Sequence, residues 1–360
     1  MEKIVVHVAE TEISEETGMG RIAWHWREAF QRAGYRFIHI GPAAIGGPVH
    51  PALFPSKAFR AFKRLGIGRG IFLIHEPAAA PFAKRFPGVV VFSHGLERRG
   101  WEALLADPAS RREIRFRSRI LFPLWRLRGS EEGMRRAAGA LASNRDDKDY
   151  ACERYGRTPE NTFVFRNGVY SSPPSPAPGS GERNILFNGS WIFRKGKATL
   201  VEAARILHEL KFQFRFTLAA TGLDEEAVLR EWPAELRSLV RVIPRFKREA
   251  EAELFRGATL FVMPSLFEGQ PLALLQAMEA GLCCITTDCC GQKDLIRNGE
   301  NGFLFPPGDA LAFASLIGVC LRDADLRERV GRRARESVSQ RSWEAASLEV
   351  KDWVERIASN

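Results

Sequence analysis

One segment concentrates residues that could bind a phosphorylated ligand. The apolar run Thr259–Met263 predicts a strand that ends in a Pro-Ser turn. Glu268 and Gly269 then open a predicted helix that runs to Gly281, and Cys283–Thr287 predicts a second buried strand. A carboxylate and backbone N–H groups would then meet at the carboxyl end of a parallel sheet, where open α/β folds bind ligands. The segment predicts a site for a small polar ligand that carries phosphate.

A basic turn follows another predicted strand, Ile185–Asn188. Lys195 and Gly196 open a predicted helix, Lys197–Leu210. A cation at the start of a helix opposes the macrodipole, and this arrangement makes sense if a bound diphosphate compensates the charge. Arg194 could contribute a second phosphate contact or belong to a solvated basic turn, and both interpretations stay open.

Strands and helices alternate in both halves of the chain, which predicts an α/β fold with a doubly wound parallel sheet in each half. We expect a Rossmann-like domain at residues 1–170, a Pro/Ser/Gly-rich linker at 171–184 and a second Rossmann-like domain at 185–340. The two domains would face each other across a cleft, and a C-terminal helix within 341–360 would pack back on the first domain. The other predicted strands are Ile4–Ala9, Arg36–Ile40, Ile71–His75, Val89–Ser93, Ala140–Ser143, Thr162–Arg166, Phe214–Ala220 and Val240–Ile243.

The net positive charge of the 360-residue chain comes from its first half. Residues 1–180 hold 28 Lys and Arg against 18 Asp and Glu, whereas residues 181–360 hold 25 of each. Within residues 51–128 the balance is 16 against 5. The first half is therefore expected to meet an acidic partner or an anionic surface.

No stretch of about 18 uncharged apolar residues occurs, so a membrane-spanning helix is not expected. The N-terminal residues MEKIVVHVAE have the pattern of a first strand and lack the pattern of a cleavable leader. The six cysteines show no C-x-x-C spacing, and we expect buried free thiols in a reducing cytoplasm. These features predict a cytoplasmic protein, and peripheral contact with the inner face of the cytoplasmic membrane is a further expectation.

The motifs EGQPLALLQAMEAG (268–281) and CGQKDLIRNGENGFLFPPGD (290–309) together resemble the donor-binding segment of glycosyltransferase family 4. NGSWIFRKGKATLVEAA (188–204) resembles the first strand and helix of that family's donor domain. VFRNGV (164–169) is similar to the end of its acceptor domain, and ETGMGRIAWHWREAFQRAGY (16–35) to its N-terminal glycine loop and helix. The resemblance implies the GT-B fold and retaining transfer of a sugar from a nucleotide-sugar donor.

By this resemblance, Glu268 accepts hydrogen bonds from the hydroxyls of the donor sugar, and Lys195 neutralises the departing diphosphate. Gln276 stands where the family has a second glutamate for the ribose, and an amide oxygen can still accept that bond without the charge-assisted strengthening. Ser190 stands where the family has an arginine, for which Arg194 could substitute. The full set of implied donor-binding residues is Gly189, Ser190, Arg194, Arg245, Phe246, Gly269, Gln270, Pro271, Leu272 and Gln276.

The first half supplies the acceptor-side candidates. Gly18, Met19 and Gly20 resemble the family's loop that approaches the donor phosphate or the acceptor, and two glycines allow close backbone approach. His94 follows the predicted strand Val89–Ser93, where the family commonly has a histidine near the reacting carbon. We treat His94 as a third catalytic candidate, with a packing role as the alternative.

Two segments alternate basic with apolar residues, Arg111–Arg128 and Ser56–Arg69. Such helices can lie in the headgroup region of an anionic membrane, with arginines on phosphates and aromatic rings below them. The alternative is a helix with one face in the core and a solvated basic face. We favour membrane docking because the charge excess is confined to this domain.

The expected partners are a nucleotide-sugar donor, a glycan or lipid-linked acceptor of cell-surface polysaccharide or lipopolysaccharide synthesis, and no nucleic acid. We expect no metal and no cofactor. Asp147-Lys148-Asp149 matches the metal-binding Asp-x-Asp pattern of other glycosyltransferases, but its place at a predicted helix start favours capping. An alternative function is a non-catalytic carbohydrate- or membrane-binding relative whose donor site is impaired by Gln276 and Ser190.

Overall fold

A computed structural model of the protein describes residues 2–171 and 183–358. The chain forms two compact units. The first contains Met1–Glu102, Arg112–Gly168 and Trp343–Asn360, and the second contains Ala103–Arg111 and Val169–Ser342. Residues 172–182 of the linker predicted at 171–184 lie outside the described residues.

The first unit is built on a six-stranded parallel sheet in the order β2-β1-β3-β4-β5-β6. Its strands are β1 Ile4–Val8, β2 Arg36–Ile40, β3 Ile71–His75, β4 Val89–Phe92, β5 Gly139–Ala142 and β6 Thr162–Val164. β1, β3, β4 and β5 are buried on both faces, which explains their continuous apolar runs. The order of the strands reverses beside β1, which places a topological switch point between β1 and β3.

The second unit has a separate six-stranded parallel sheet in the order β12-β11-β10-β7-β8-β9. Its strands are β7 Asn184–Asn188, β8 Arg215–Ala219, β9 Val240–Ile243, β10 Leu260–Met263, β11 Cys284–Thr287 and β12 Phe303–Phe305. The chain adds strands on one side of β7 and then continues with β10 on the other side. The switch point of this sheet therefore lies between β7 and β10.

Helices cover the faces of both sheets. They are α1 Gly18–Arg32, α2 Phe54–Arg64, α3 Ala79–Ala83, α4 Glu97–Ala106, α5 Pro108–Glu113, α6 Phe116–Phe122, α7 Arg128–Arg136, α8 Arg145–Tyr155, α9 Lys197–Glu209, α10 Glu225–Leu229, α11 Glu251–Arg256, α12 Leu272–Glu279, α13 Cys290–Leu295, α14 Ala310–Arg322, α15 Ala324–Val338 and α16 Trp343–Ala358. A π-helical segment, Pro123–Leu127, joins α6 to α7. Among the described residues, none of the helices combines the length and the apolar character that crossing a bilayer requires.

The predicted α/β fold with a parallel sheet in each half is confirmed. Two local predictions need correction. The helix expected to open at Glu268 begins at Leu272, with the extended Pro271 as its N-cap, because the residue that precedes a proline is disfavoured in the helical conformation. The short edge strand Phe303–Phe305 was not predicted, since three residues carry too little periodicity.

The C-terminal helix α16 belongs to the first unit, where it packs against α1 and against strands β3, β4 and β5. Gly139 in β5 makes room for it, since a Cβ there would lie 2.7 Å from Ile357 and 2.8 Å from Trp353. The last 16-residue helix therefore covers a sheet whose strands end nearly 180 residues earlier in the chain.

Candidate active site

In the second unit, two loops meet at the switch point between β7 and β10. The backbone N–H of Leu266 donates to the carbonyl of Arg194 over 2.8 Å, which ties the loop after β10 to the loop after β7. Gly196 has a left-handed φ of 73°, and a Cβ there would lie 1.8 Å from the carbonyl oxygen of Pro264. Glycine is therefore required at the start of α9, because any side chain would separate the two loops.

The contact between these loops brings together the residues that the sequence placed about 70 positions apart. Lys195 Nζ lies 2.6 Å from Glu268 Oε1. Arg194 Nη1 lies 3.3 Å from the other carboxylate oxygen and donates to the carbonyl of Phe267 over 2.9 Å. One carboxylate and two cations thus form a single cluster at the carboxyl edge of the sheet.

The electrostatics of the cluster follow from its burial. Burial raises the pKa of Glu268, but the attraction of Lys195 and Arg194 outweighs it, so the pKa lies below its ordinary value. Burial is also the main reason that the pKa of Lys195 is lowered, and Glu268 opposes that shift. The Glu268 carboxylate is ionised at neutral pH and holds a desolvated cation beside it.

Several polar residues that the sequence did not single out hold the loop that carries Glu268. Thr287 Oγ1 donates to the carbonyl of Ser265 over 2.6 Å, and Thr286 Oγ1 donates to the carbonyl of Met263 over 2.8 Å. Gln292 Nε2 in turn donates to Thr287 Oγ1 over 2.9 Å. In the sequence, two threonines at the carboxyl end of a predicted buried strand could have indicated this role, because a buried hydroxyl needs a hydrogen-bond partner.

Gly269 is positioned by a second glycine. A Cβ on Gly291 would lie 1.6 Å from the carbonyl oxygen of Gly269, so α13 approaches the loop backbone directly. The close packing of α13 against this loop leaves little freedom for the backbone beside Glu268.

Helix α12 presents its first turn next to this loop. No side chain caps it among the described residues, and Pro271 occupies the N-cap. Gln276 lies one turn further along, buried, with an Nε2 that has no hydrogen-bond partner among the described residues. A buried amide without a partner costs free energy unless a ligand or water satisfies it.

The other predicted donor-side residues differ in exposure. Gly189 follows β7 beside the stem of Lys195, whose Cδ and Cε would lie in ordinary van der Waals contact, 3.6 Å from a Cβ there. Ser190 and Arg245 are exposed, and Phe246 packs on the hydrophobic core beneath the sheet. Gln270 and Leu272 are half-buried, on either side of the buried Pro271.

In the first unit, His94 directly follows Ser93 at the carboxyl end of β4. Burial lowers its pKa to about 4, so the imidazole is neutral at physiological pH. His94 faces His75 with ring centroids 5.6 Å apart, and burial places the pKa of His75 well below its ordinary value as well. His94 can exchange a hydrogen bond at neutral pH without carrying a charge.

Glu76 is a buried carboxyl beside these two histidines. In the sequence it directly follows the predicted strand Ile71–His75. Its Oε2 accepts from Ser93 Oγ over 2.7 Å and from the N–H of Glu97 over 3.3 Å. Oε1 has no hydrogen-bond partner among the described residues. Burial, together with Glu97 and Asp147, raises the pKa of Glu76 to about 8, so the group is largely a neutral acid at pH 7.

The predicted glycine loop forms the first turn of α1, which begins at Gly18. Gly20 is required by packing, because a Cβ there would lie 2.3 Å from Thr17 Oγ1 and 2.7 Å from the carbonyl oxygen of Glu12. Gly18 has no atom within 4 Å of such a Cβ, and Met19 is exposed. Packing within this unit therefore does not explain why position 18 is a glycine.

Asp147-Lys148-Asp149 lies near the start of α8, where a helix start was predicted, but the capping role predicted for it belongs to Asn144, whose side chain accepts from the N–H of Asp147. The buried Asp147 pairs with Arg99 over 2.6 Å and accepts from the N–H of Leu96 over 3.2 Å. Asp147 therefore holds the turn after β4 in place.

The two basic segments differ in structure. In Ser56–Arg69, the aromatic residues of α2 lie in the core, with Phe62 buried, so this helix offers solvent a basic face. In Arg111–Arg128, Arg126 is not available to a membrane, since it pairs with Glu10 over 2.6 Å and with Glu97 over 2.9 Å. Apolar side chains of the same segment are exposed: Phe116 by 73%, Ile120 by 49%, Leu121 by 51% and Leu124 by 62%.

Comparison with known proteins matches residues 172–337, just under half of the chain, to the family described as glycosyl transferases group 1. The colanic acid biosynthesis glycosyltransferase WcaL of Salmonella typhimurium is 31% identical over 205 residues, covering 51% of this chain and 48% of that protein. The phosphatidyl-myo-inositol mannosyltransferase of Mycobacterium leprae is 26% identical over 180 residues, covering 49% and 48%. The chain thus matches about half the length of these curated relatives.

Solved structures match over nearly the whole chain. A sucrose-phosphate synthase from Thermosynechococcus elongatus superposes with a TM-score of 0.81 at 18% identity, covering 99% of this chain and 100% of that structure. WaaG, a glycosyltransferase involved in lipopolysaccharide biosynthesis, superposes with a TM-score of 0.75 at 16% identity, covering 97% and 99%. These likenesses establish two Rossmann-like domains of the GT-B fold, and the similarity to the group 1 glycosyl transferase family covers residues 172–337.

Proposed function

We propose that this chain is a retaining glycosyltransferase of family 4. It moves a sugar from a nucleotide-sugar donor to a hydroxyl of a glycan or lipid-linked acceptor in cell-surface polysaccharide or lipopolysaccharide synthesis. Support comes from the group 1 family match of residues 172–337 and from relatives named as polysaccharide glycosyltransferases. Solved structures of the same fold include one in complex with UDP-glucose.

The observation that carries the proposal is the cluster of Lys195, Arg194 and Glu268 at the switch point of the second sheet. Open α/β sheets bind ligands at this place. The cluster offers two cations for a diphosphate and one ionised carboxylate for sugar hydroxyls, with the first turn of α12 beside them. A nucleotide-sugar presents these two chemical groups next to each other.

The reaction breaks the bond between the anomeric carbon and the diphosphate and forms a bond from that carbon to the acceptor oxygen, whose proton is released. Positive charge develops on the sugar ring and negative charge on the leaving diphosphate. Lys195 would stabilise the leaving group, and its partial desolvation strengthens that interaction. Glu268 would orient the sugar through its hydroxyls, and His94 would supply a neutral hydrogen-bonding group on the acceptor side.

The decisive experiment measures thermal shifts with UDP, GDP, ADP and their glucose conjugates, followed by transfer and donor-hydrolysis assays. Ligand that binds the native state raises the melting temperature. We expect one nucleotide series to stabilise the protein, and Lys195→Ala to remove most of that shift. Lys197→Ala is the matched control, because Lys197 is two residues away and pairs with Glu231 over 2.7 Å.

The same assays test the alternative function. Gln276 and Ser190 replace charged residues of the family's donor site, so a non-catalytic carbohydrate- or membrane-binding protein would show neither hydrolysis nor transfer. Glu268→Ala would then change no measured property except stability. Turnover that depends on Glu268 rejects the alternative.

We further propose that the reaction requires no metal ion and no cofactor. Lys195 and Arg194 supply the positive charge that a divalent cation would otherwise bring to the diphosphate. Turnover should be unchanged in EDTA. Loss of turnover on chelation, with recovery in manganese, would reject this part of the proposal.

We also propose that the protein is cytoplasmic and docks on the inner face of the membrane through α6 and the π-helical segment that follows it. Phe116 and Ile120 lie four residues apart on α6, and they and Leu124 in the π-helical segment are exposed apolar side chains. Arg112, Arg115, Arg117 and Arg128 are exposed in the same part of the chain. A segment that exposes both apolar side chains and arginines matches the interface of an anionic bilayer.

A further inference from the structure

A groove of about 370 Å³ runs between α1 and α16 in the first unit, and none of the predicted catalytic, donor-binding or glycine-loop residues lines it. Its volume is within the range of small-molecule sites. We refer to it as the α1–α16 groove, and Glu15, Trp24, Glu28, Trp343 and Ser347 are among its lining residues. Nothing in the proposed reaction uses these side chains.

Aromatic rings form much of the groove. His25 stacks on Trp343 with ring centroids 4.2 Å apart and planes inclined by 10°. Trp24 is half-buried and carries the Arg27 guanidinium 4.1 Å from its ring centroid. Such rings combine a flat apolar surface with polar edges, and they suit ligands that have both an apolar face and polar groups.

The polar lining selects against charged ligands of either sign. Three carboxylates line the groove, those of Glu15, Glu28 and Glu344, against the single cation Arg32 among the described lining residues. Excess carboxylate disfavours phosphates and acidic sugars. Arg32 pairs with Glu344 over 3.2 Å and Arg27 pairs with Glu28 over 3.6 Å, which leaves little negative charge to attract an ammonium ligand. The carboxylates remain strong acceptors for hydroxyl groups.

Ser347 supplies an independent indication of a ligand. Its residue is 3% exposed, it lines the groove, and its Oγ has no hydrogen-bond partner among the described residues. Native proteins rarely bury a hydroxyl without a partner, because the cost of desolvation is then unrecovered. Because Ser347 lines the groove, rotation about its Cα–Cβ bond would let a ligand hydroxyl supply that partner.

We propose that the α1–α16 groove binds an uncharged sugar ring of the acceptor. Carboxylates accept from its hydroxyls, its apolar face lies against the aromatic lining, and Ser347 gains a partner. The inference rests on the proposed glycosyltransferase function and deepens it, because it makes the acceptor a molecule that already carries a neutral sugar.

The test is saturation-transfer NMR on the full chain with D-mannose, D-galactose, N-acetylglucosamine, glucuronic acid and choline. At least one neutral sugar should bind in the millimolar range, and Trp24→Ala should weaken that binding at least tenfold. Ser347→Ala should weaken it severalfold without lowering the melting temperature, because the variant loses an unsatisfied hydroxyl. Trp125→Ala is the matched control, since Trp125 is a half-buried tryptophan of the same unit outside the groove.

Three results would overturn the assignment: no neutral sugar binds, Trp24→Ala binds as well as the parent, or choline or glucuronic acid is preferred. Thermal shifts with UDP-glucose, GDP-glucose and ADP-glucose are measured on the same samples. Normal donor shifts without sugar binding would reject the groove alone. Sugar binding that depends on Trp24 without any donor shift would reject the proposed function and leave a carbohydrate-binding groove.

Discussion

The carbonyl oxygen of Pro264 lies 1.8 Å from the position that a Cβ of Gly196 would occupy. This contact joins the loop that carries Lys195 to the loop that carries Glu268. The charge cluster therefore depends on a glycine that takes part in no chemistry.

Gly196→Ala should destabilise the protein and separate the two loops. The left-handed φ costs an alanine about 1–2 kcal/mol, and the clash with Pro264 should bring the total to about 3 kcal/mol or more. Gly222→Ala is the matched control, because Gly222 has a φ of 72° and nothing within 4 Å of its Cβ position. Urea denaturation measures both, and equal losses for the two variants would show that the loops can separate without cost.

The ion pair of Lys195 and Glu268 should be strongly coupled in stability. Each of Lys195→Met and Glu268→Gln removes one charge of a buried pair and should cost about 3 kcal/mol. The double variant should cost less than the sum, with a coupling free energy of about 1–3 kcal/mol. Chemical denaturation of all four proteins gives the cycle, and additive losses would contradict a direct pair.

The same pair predicts a pH dependence. Burial raises the pKa of Glu268, yet Lys195 and Arg194 bring it below the ordinary value of 4.5. Its stabilising contribution is therefore present above pH 4.5 and is lost as the pH falls through the lowered folded-state pKa. When the free energy of unfolding is measured against pH, its loss below pH 4.5 should be smaller in Glu268→Gln than in the parent.

Glu76 should act in the opposite direction. Burial raises its folded-state pKa to about 8, so the folded protein binds one more proton than the unfolded chain between the ordinary value of 4.5 and about 8. As the pH rises across this interval, the free energy of unfolding should fall, and above about pH 8 it should level off. Glu76→Gln, which resembles the protonated acid, should flatten the fall, whereas Glu113→Gln at an exposed position should not. A parallel fall in both variants would exclude Glu76 as its source.

Gln276→Glu should strengthen nucleotide binding and lower the stability of the protein without ligand. A charge-assisted hydrogen bond to a ribose hydroxyl exceeds the neutral bond by about 1 kcal/mol, which is roughly a fivefold gain in affinity. The new carboxylate would be buried, so the melting temperature without ligand should drop. Isothermal titration calorimetry with the nucleotide found in the thermal-shift panel measures the affinity. Unchanged or weaker binding would place Gln276 outside the ribose site.

The exposed apolar face of α6 should control membrane binding. Replacing Phe116, Ile120 and Leu124 together with alanine removes several kcal/mol of transferable apolar surface, so vesicle partitioning should fall at least tenfold. Sedimentation with vesicles of phosphatidylglycerol and phosphatidylcholine measures it. Leu311→Ala is the control, because Leu311 is 65% exposed on another helix. Equal binding by the triple variant would reject α6 as the docking element.

The order of helices and strands could be predicted from the sequence because buried parallel strands are continuous apolar runs. Val89–Phe92 and Leu260–Met263 are examples in which all four residues are buried. Parallel strands place their carboxyl ends at one edge, so Lys195 and Glu268 could be assigned to the same edge. The motif resemblance then named their chemistry.

Contacts between distant residues required the tertiary structure. Strand order is not encoded in local periodicity, so the adjacency of β7 and β10, and with it the ion pair of Lys195 and Glu268, could not be predicted. An amphipathic pattern does not tell which residues meet the core. Phe62 is therefore buried while Phe116 is exposed, and Arg126 is paired with Glu10.

By itself, the sequence determined two parallel α/β sheets and the residue types at their carboxyl edges, because apolar periodicity and strand polarity are local properties. Only the tertiary structure decided which of those residues touch, which charges are buried and neutralised, and that Trp24 and Trp343 line one groove from opposite ends of the chain. Packing and desolvation act between segments far apart in sequence, and they set the pKa values and contacts on which function depends.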